Sequence, residues 1–207
     1  MKMSAAIAPD GLYRYSLTRV WETDLPCIGF IMLNPSTADA TKDDPTIRRC
    51  INFARNWGYG GIEVGNLFAY RATDWLVLRR VFDPVGCEND SYLMRMQQSV
   101  EKIVIGWGNY GSWQQRDKSV LGLLSQGRIL HCLGVTLQGQ PRHPLYVRRD
   151  TILLPYQGLK GVVGVGFMEN SCEQPEDLQL NPPVRESGRR EQRKLREKNN
   201  WSLVTGH

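Results

Sequence analysis

The chain has 207 residues with 41% hydrophobic and 23% charged side chains, which suits a globular protein with one core of ordinary size. No apolar run reaches the roughly 18 residues that cross a bilayer, and residues 1–9 lack the layout of a secretion signal, so no membrane association is expected. The five cysteines are odd in number and form no CxxC pair, which argues against a disulfide framework and a structural zinc site. We therefore expect a cytoplasmic protein without metal or cofactor.

The net charge of +5 is unevenly distributed along the chain. Residues 181–207 contain seven basic and three acidic side chains, so four of the five excess positive charges lie there. The composition predicts a single α/β domain over residues 1–180 and a mobile basic tail over residues 181–207. The positive balance suggests a nucleic-acid partner, whereas the near-neutral charge of residues 1–180 favours a free nucleotide.

The first third of the chain contains two predicted strands, a polar loop and a helix. Aromatic and apolar residues over Leu12–Trp21 predict an edge strand. The continuous apolar run Cys27–Leu33 is typical of a strand buried on both faces. The polar segment NPSTADATKDD follows as a loop, and Asp44 with Pro45 then suits the start of a helix. The apolar face of this helix consists of Ile47, Cys50, Ile51, Ala54 and Trp57.

Three further buried strands alternate with helical segments in the rest of the chain. The strands are predicted at Ile62–Phe68, Lys102–Trp107 and Arg128–Leu133, and the helices at residues 74–81, 88–100 and 113–125. Residues 151–180 are ambiguous. Strands that alternate with helices pair in parallel through right-handed crossovers. The pattern therefore predicts a three-layer α/β sandwich with a central, mostly parallel sheet.

Each of the four buried strands is followed by a distinctive polar group. These groups contain Asn34, Asn66, Trp107 with Asn109, and, after a longer loop, His143. In open parallel sheets, ligands bind beyond the carboxyl ends of the strands. The sequence therefore predicts one concave surface built from these loops.

Several of these motifs also carry a family resemblance. The stretches MLNPSTADATKDDPTIRRC, WGYGG, NLFAYRATD, WGNYG and GQPRHPLY resemble an uncharacterised family of bacterial and phage proteins, a domain of unknown function. The resemblance covers roughly residues 10–155. It implies membership of that family and does not imply an activity.

The order of the motifs is more distantly similar to that of the uracil-DNA glycosylase superfamily. Asn34-Pro35 resembles the water-positioning loop of its mismatch-specific branch, and His143-Pro144 resembles the opening of its second catalytic loop. NLFAYRAT and VIGWGNYG resemble strands of that superfamily. The resemblance implies a uracil-DNA glycosylase-like fold, base flipping and metal-independent cleavage of a glycosidic bond in DNA. The His loop is HPLYV rather than HPSPL, which suggests a modified base rather than plain uracil as the substrate.

The resemblance assigns provisional roles to individual residues. Asn34 would orient a water, His143 would donate a hydrogen bond to the departing base, and Asp44 is a further catalytic candidate. Ser36, Thr37 and Arg71 suit phosphate contacts, and Phe68 suits stacking on a flipped base. The predicted substrate-binding set is Pro35, Ser36, Thr37, Asp39, Asn66, Phe68, Arg71, Trp107, Arg142 and Leu145.

Purely structural roles remain open for some of these residues. Asp44-Pro45 suits a helix start better than a catalytic acid, and Trp107 is more typical of a core residue. Three functions are compatible with the sequence. The first is a DNA glycosylase, which is compatible with a role in phage defence. The second is a nucleotide- or nucleic-acid-binding module without catalysis. The third is a hydrolase of free nucleotides that uses Asp39, Asp43 and Asp44 as acid, base or metal ligands.

Overall fold

A computed structural model describes residues 1–124 and 129–158. Within these residues the strands are β1 (Lys2–Ile7), β2 (Arg14–Val20), β3 (Cys27–Met32), β4 (Gly61–Asn66), β5 (Lys102–Ile105), β6 (Leu130–Cys132) and β7 (Leu154–Pro155). The α-helices are α1 (Pro45–Asn56), α2 (Trp75–Leu78), α3 (Asn89–Ser99) and α4 (Arg116–Leu124). The predicted α/β class is confirmed. The predicted basic tail, residues 181–207, lies outside the described residues.

The strands form one mixed sheet in the order β1-β2-β4-β3-β5-β6-β7. The four strands predicted to be parallel are neighbours, and all pair in parallel as predicted. The prediction of a mostly parallel sheet is wrong, because β1–β2, β2–β4 and β6–β7 are antiparallel. Antiparallel strands therefore extend the parallel centre on both sides.

The predicted edge strand over Leu12–Trp21 is also corrected. The strand that forms within this range is β2, which lies inside the sheet between β1 and β4. The edge is instead β1, whose small residues and alternating exposure form a weak strand pattern. β2 consequently buries most of its side chains, including two arginines, Arg14 and Arg19.

The helices begin and end for local reasons. The Asp44 side chain accepts a hydrogen bond from the backbone of Ile47 and caps α1, with Pro45 in the first turn, as predicted. α4 begins at Arg116 rather than at residue 113. The reason is that Gln114 and Gln115 have φ angles of 54° and 55°, in the left-handed region that interrupts a helix.

The core lies on both faces of the sheet, because successive strand residues point to opposite sides. Phe30 of β3 belongs to a cluster that includes α1, whereas the adjacent Ile31 belongs to a cluster that includes α3 and α4. These packed faces fix the parallel strand ends in place. None of the helices in residues 1–124 and 129–158 combines the length and apolar character needed to span a membrane.

Candidate functional site

Two central strand ends come together at one edge of the sheet. In the parallel register, Met32 at the end of β3 pairs with Asn66 at the end of β4. The segments that leave β3 and β4 then continue side by side. Leu67 N donates to the carbonyl of Met32 over 2.8 Å, and Phe68 N donates to that of Leu33 over 3.0 Å. Asn66 therefore ends β4 inside the sheet, and Asn34 lies on the adjacent segment, two residues beyond the end of β3.

The side chain of Asn34 is held in one orientation. Its Nδ2 donates to the carbonyl of Ala72 over 2.7 Å and to that of Pro35 over 3.1 Å. Ala72 N donates back to the carbonyl of Pro35 over 2.9 Å. Both amide hydrogens are thus engaged, so the group of the half-buried Asn34 that these bonds leave over is Oδ1, an acceptor.

The loop that carries His143 is packed against the end of β5. Gly108 N donates to the carbonyl of Pro141 over 2.9 Å. A Cβ added to Gly106 would lie 3.1 Å from the carbonyl oxygen of Arg142 and 3.1 Å from the ring of Pro144. Only a glycine permits this close approach without displacement. Gly106 also donates from its N to the carbonyl of Ile31 over 2.8 Å, so the His143 loop lies beside the strand that leads to Asn34.

Helix α1 supports the same loop from the other side. The guanidinium of Arg49 donates to the carbonyls of Pro144 and Val147, which are the first residue and the C-cap of the short 3-10 helix Pro144–Tyr146. Arg49 also lies over the ring of Phe53, 5.0 Å from its centroid. The position of His143 is therefore determined by both α1 and β5.

His143 is a neutral imidazole at physiological pH. Burial lowers its pKa to about 4, an effect that the nearby Asp44 carboxylate partly opposes. Nδ1 faces the backbone N of Leu145 at 3.3 Å and acts as an acceptor there. A neutral imidazole with an accepting Nδ1 carries its proton on Nε2, so His143 offers an N–H donor.

Asp44 combines a structural position with an electrostatic one. Its Oδ1 caps α1 over 2.9 Å, and only 9% of the residue is exposed. The carboxylate lies close enough to His143 and to Arg14 to oppose part of the lowering of each pKa that burial causes. The cap role is the one that the hydrogen bond shows, and the carboxylate also places negative charge next to the candidate site.

The other two aspartates of the loop have structural partners. The Asp39 carboxylate accepts from the backbone of Thr41 and Lys42, and these bonds lower its pKa. Asp43 forms a 2.8 Å ion pair with the buried Arg19 and not with the neighbouring arginines of α1. In the part of the chain that the structure describes, no three His, Cys, Asp or Glu side chains are grouped as metal ligands. Asp39 and Asp43 are therefore each held by a partner within the fold.

A buried polar group at the site was missed by sequence reasoning. Arg14, 2% exposed, donates from Nη1 to the carbonyl of Ala38 over 3.0 Å and from Nη2 to Asn66 Oδ1 over 3.3 Å. Burial lowers the pKa of Arg14 to about 10, opposed by Asp44 and enhanced by Arg71. Three buried nitrogens, Arg14 Nε, Arg71 Nε and Asn66 Nδ2, have no acceptor among the described residues. The available signal was an arginine between two tyrosines at the start of a strand.

The predicted aromatic contacts are not available in this structure. Phe68 is fully buried and packs against Trp113 with ring centroids 5.0 Å apart. Trp107 is 2% exposed, and its Nε1 donates to Gln140 Oε1 over 2.7 Å. Neither ring offers a face to a ligand, because the core covers both.

A partly exposed ring pair occurs instead in the segments that follow β4 and β5, with the half-buried Trp75 at the start of α2 and Tyr110 in the 3-10 helix Asn109–Gln115. Trp75 and Tyr110 stack with centroids 4.4 Å apart, and 55% of Tyr110 is exposed. Trp75 lies three residues after Ala72, the partner of Asn34. This pair is a second feature that the sequence did not predict, because its two rings come from segments that are far apart in the chain.

The remaining predicted residues lie in the loop after β3, in the segment after β4 and in the loop that carries His143. Pro35 is buried, Ser36 is half-buried and Thr37 is exposed, so Thr37 is the most accessible of the three. Arg142 donates from Nε to the carbonyl of Val135 over 3.0 Å and is half-buried. Leu145 is 41% exposed and projects from the 3-10 helix. Arg71 donates from Nη1 to the carbonyl of Gly11 over 3.1 Å.

The comparisons with known proteins identify a family. A family model described as "Protein of unknown function (DUF1643)" matches residues 14–145, and the chain therefore belongs to this family. The membership expected from the motifs is confirmed. No curated protein matches the chain significantly, and no solved structure does so either.

Proposed function

We propose that this protein cleaves the N-glycosidic bond of a modified base in DNA and resembles the uracil-DNA glycosylases in its three-layer arrangement. The observation that carries the proposal is the combination of Asn34, with Oδ1 presented as an acceptor, and a neutral His143, with Nε2–H as a donor. Both follow strands of the parallel centre. Cores on both faces of the sheet support the layered comparison.

Asn34 prepares the nucleophile. Its Oδ1 accepts a hydrogen bond from a water, while the bonds to Ala72 and Pro35 prevent the amide from turning. The water oxygen bonds to C1′ of the sugar as the C1′–N bond breaks. A fixed amide orients this water without the cost of ordering it during the reaction.

His143 stabilises the leaving base. The electron pair of the C1′–N bond departs with the base, which becomes an anion and accepts the Nε2–H hydrogen bond. The proton lost by the attacking water then neutralises the base. A preorganised donor of this kind is worth roughly 10²–10³ in rate. Asp44 contributes negative charge that favours the positive sugar of the transition state.

The surface outside the site suits a DNA backbone. A shallow groove on α1 is lined by Arg49, Arg55 and Arg149 together with Asn52 and Asn56. Arginine and asparagine side chains are common phosphate contacts. Arg49 also holds the His143 loop, so a strand bound in this groove would lie beside the proposed catalytic histidine.

The base must leave the helical stack before the site residues can reach C1′ and the base itself. Leu145 and Tyr146, which are 41% and 77% exposed, project from the His143 loop and suit a wedge in the vacated position. The stacked Trp75 and Tyr110 provide an aromatic surface for an unstacked base. The altered His loop favours a modified base, which is compatible with phage defence in the cytoplasm.

The proposal is tested by a substrate screen. The full chain is incubated with duplex and single-stranded DNAs that carry different modified bases, with EDTA present, and alkali then converts abasic sites into strand breaks. We expect breaks at one class of modified base only. Tight DNA binding without breaks on any substrate would favour a binding module instead.

A further inference from the structure

Arg14 and Arg71 lie on the same side of one short antiparallel contact. Tyr13 pairs with Tyr70, Arg14 N donates to the carbonyl of Ala69 over 2.9 Å, and Arg71 N donates to that of Leu12 over 2.9 Å. In such a ladder, the residues on either side of the central pair are diagonal neighbours on one face. The two guanidinium groups are therefore close, and each contributes to the electrostatic environment of the other.

Neither arginine has an ion-pair partner among the residues that the structure describes. The ion pairs in residues 1–124 and 129–158 join Arg19 to Asp43, Arg116 to Asp90, and Arg148 to Asp150. The Asp39 and Asp44 carboxylates influence Arg14 electrostatically but do not hydrogen-bond to it within the described residues, where Asp39 Oδ1 accepts in its own turn and Asp44 Oδ1 caps α1. Buried charges are normally paired, because an unpaired charge loses its hydration without compensation.

Arg19 shows how this fold normally treats a buried arginine. It belongs to the same strand and is fully buried, yet its Nε donates to the Asp43 carboxylate over 2.8 Å. Its Nη atoms donate to backbone carbonyls, including that of Asp39. Arg116 likewise pairs with Asp90 and donates from Nε to the carbonyl of Leu67 over 2.8 Å. Arg14 and Arg71 are exceptions, since Nε of each is buried without an acceptor.

A third unpartnered donor lies next to them. Asn66 is 1% exposed, accepts from Arg14 at Oδ1, and has no acceptor for Nδ2 among the described residues. Its backbone carbonyl accepts from Asn89 Nδ2 over 3.0 Å, so Asn66 is also fixed in position. Nε of Arg14, Nε of Arg71 and Nδ2 of Asn66 are thus donors that have no acceptor among the described residues. Two of the three belong to cationic groups, so they match an oxyanion better than a neutral oxygen.

We propose that Arg14 and Arg71, assisted by Asn66, bind an oxyanion of the ligand, either a phosphate or a carboxylate. The subsite deepens the proposed function, because it uses the same ligand site but does not require bond cleavage. A phosphate would come from the target nucleotide itself. A carboxylate would be an acidic substituent on a modified base.

The test uses the full chain and no DNA. Thermal unfolding and isothermal calorimetry at pH 7 are carried out in inorganic phosphate, acetate or chloride at equal ionic strength, for wild type, Arg14→Gln and the exposed control Arg80→Gln. We expect phosphate or acetate to bind and to raise the melting temperature above the chloride value. Arg14→Gln should weaken that binding about 10-fold or more, as expected for a lost charged hydrogen bond, and Arg80→Gln should not.

The two anions distinguish a phosphate ligand from a carboxylate ligand. A response to phosphate assigns the subsite to a phosphate group, and a response to acetate assigns it to a carboxylate. The absence of both responses in wild type, or an equal response in Arg14→Gln, would overturn the proposal. If Arg14→Gln does not fold, Arg71→Gln is measured in its place. In addition, the arginine Nε–H resonances in NMR spectra of the wild type must shift when the anion is added. Base excision without any anion response would overturn the subsite alone.

Discussion

Asn34 and Ala72 connect the loops that follow two neighbouring parallel strands, through a 2.7 Å hydrogen bond from Asn34 Nδ2 to the Ala72 carbonyl. The bond has a structural and a chemical consequence. It holds the loop after β3 against the chain that leaves β4, and it leaves Asn34 Oδ1 as the acceptor that we propose orients the water. Stability and catalysis at this position should therefore respond separately to mutation.

Replacement of Asn34 by Ala should reduce single-turnover cleavage by about 10²–10³ while DNA affinity changes little, because the amide acts on the water and not on the backbone of the DNA. The lost hydrogen bonds should lower the free energy of unfolding by only about 1–2 kcal/mol. Gln98→Ala, an exposed amide on α3, is the matched control and should change neither quantity. An equal loss of affinity and rate in Asn34→Ala would argue for a binding role.

The titration of His143 can be followed directly. Its imidazole resonances should report a pKa near 4 rather than the ordinary value near 6.5, since burial disfavours the charged ring. His131, whose pKa burial lowers as well, serves as an internal comparison. A pKa of His143 at or above 6.5 would remove the neutral donor from the proposed chemistry.

The same residue predicts a pH dependence of stability. Between pH 6.5 and about 4, the unfolded chain binds a proton at His143 that the native state does not, so the native state loses stability as the pH falls through this window. His143→Gln should remove roughly 2–3 kcal/mol of that loss, measured as the difference from wild type in urea titrations at each pH. Parallel curves for the two proteins would contradict the prediction.

Arg49 should stabilise the His143 loop without affecting the rest of the fold. Arg49→Met retains much of the side-chain packing on Phe53 but removes the donors to the carbonyls of Pro144 and Val147. We expect a loss of about 1–3 kcal/mol and faster hydrogen exchange of the Tyr146 amide, which donates to the carbonyl of His143. Arg80→Met is the exposed control. Unchanged exchange at Tyr146 would show that α1 does not hold this loop.

Arg19 and Arg14 offer a matched comparison of two buried arginines in one strand. Arg19→Met should cost on the order of 3–5 kcal/mol, because it leaves the Asp43 carboxylate without its partner. Arg14→Met should cost less than about 2 kcal/mol, since it removes an unpaired buried charge along with two hydrogen bonds. Urea unfolding of both variants checks the order. An Arg14 variant that is the less stable of the two would assign Arg14 a structural role.

The fold could be predicted from the sequence where local pattern determines structure. The apolar run Cys27–Leu33 and its three counterparts correspond to the parallel centre, and Asp44-Pro45 does begin α1. Pairing is not local, and so β1 and the internal position of β2 were not predictable from periodicity alone. The left-handed backbone at Gln114 and Gln115 gave no signal either, because neither residue is a glycine.

In the candidate site, too, local sequence pattern predicted some positions, whereas others depend on contacts between distant parts of the chain. Asn34, Asn66 and the His143 loop were predicted because they follow strand ends. The structure shows that β3 and β4 end side by side and that the His143 loop packs on Gly106 after β5, while the roles of these residues stay predictions. Phe68 and Trp107 were misassigned, because an aromatic residue after a strand can equally complete the core. Arg14 was missed, because the burial of its guanidinium depends on partners that lie 24 and 52 positions away in the sequence.

The central claim is tested most directly by identifying the products from a modified DNA that responds in the substrate screen. Mass spectrometry should find the intact free base and an abasic strand in equal amounts, with EDTA present throughout. Asn34→Ala and His143→Ala should each slow product formation by about 10²–10³. Loss of activity with EDTA, restored by a divalent ion, would contradict the account, as would cleavage of the backbone without release of a base.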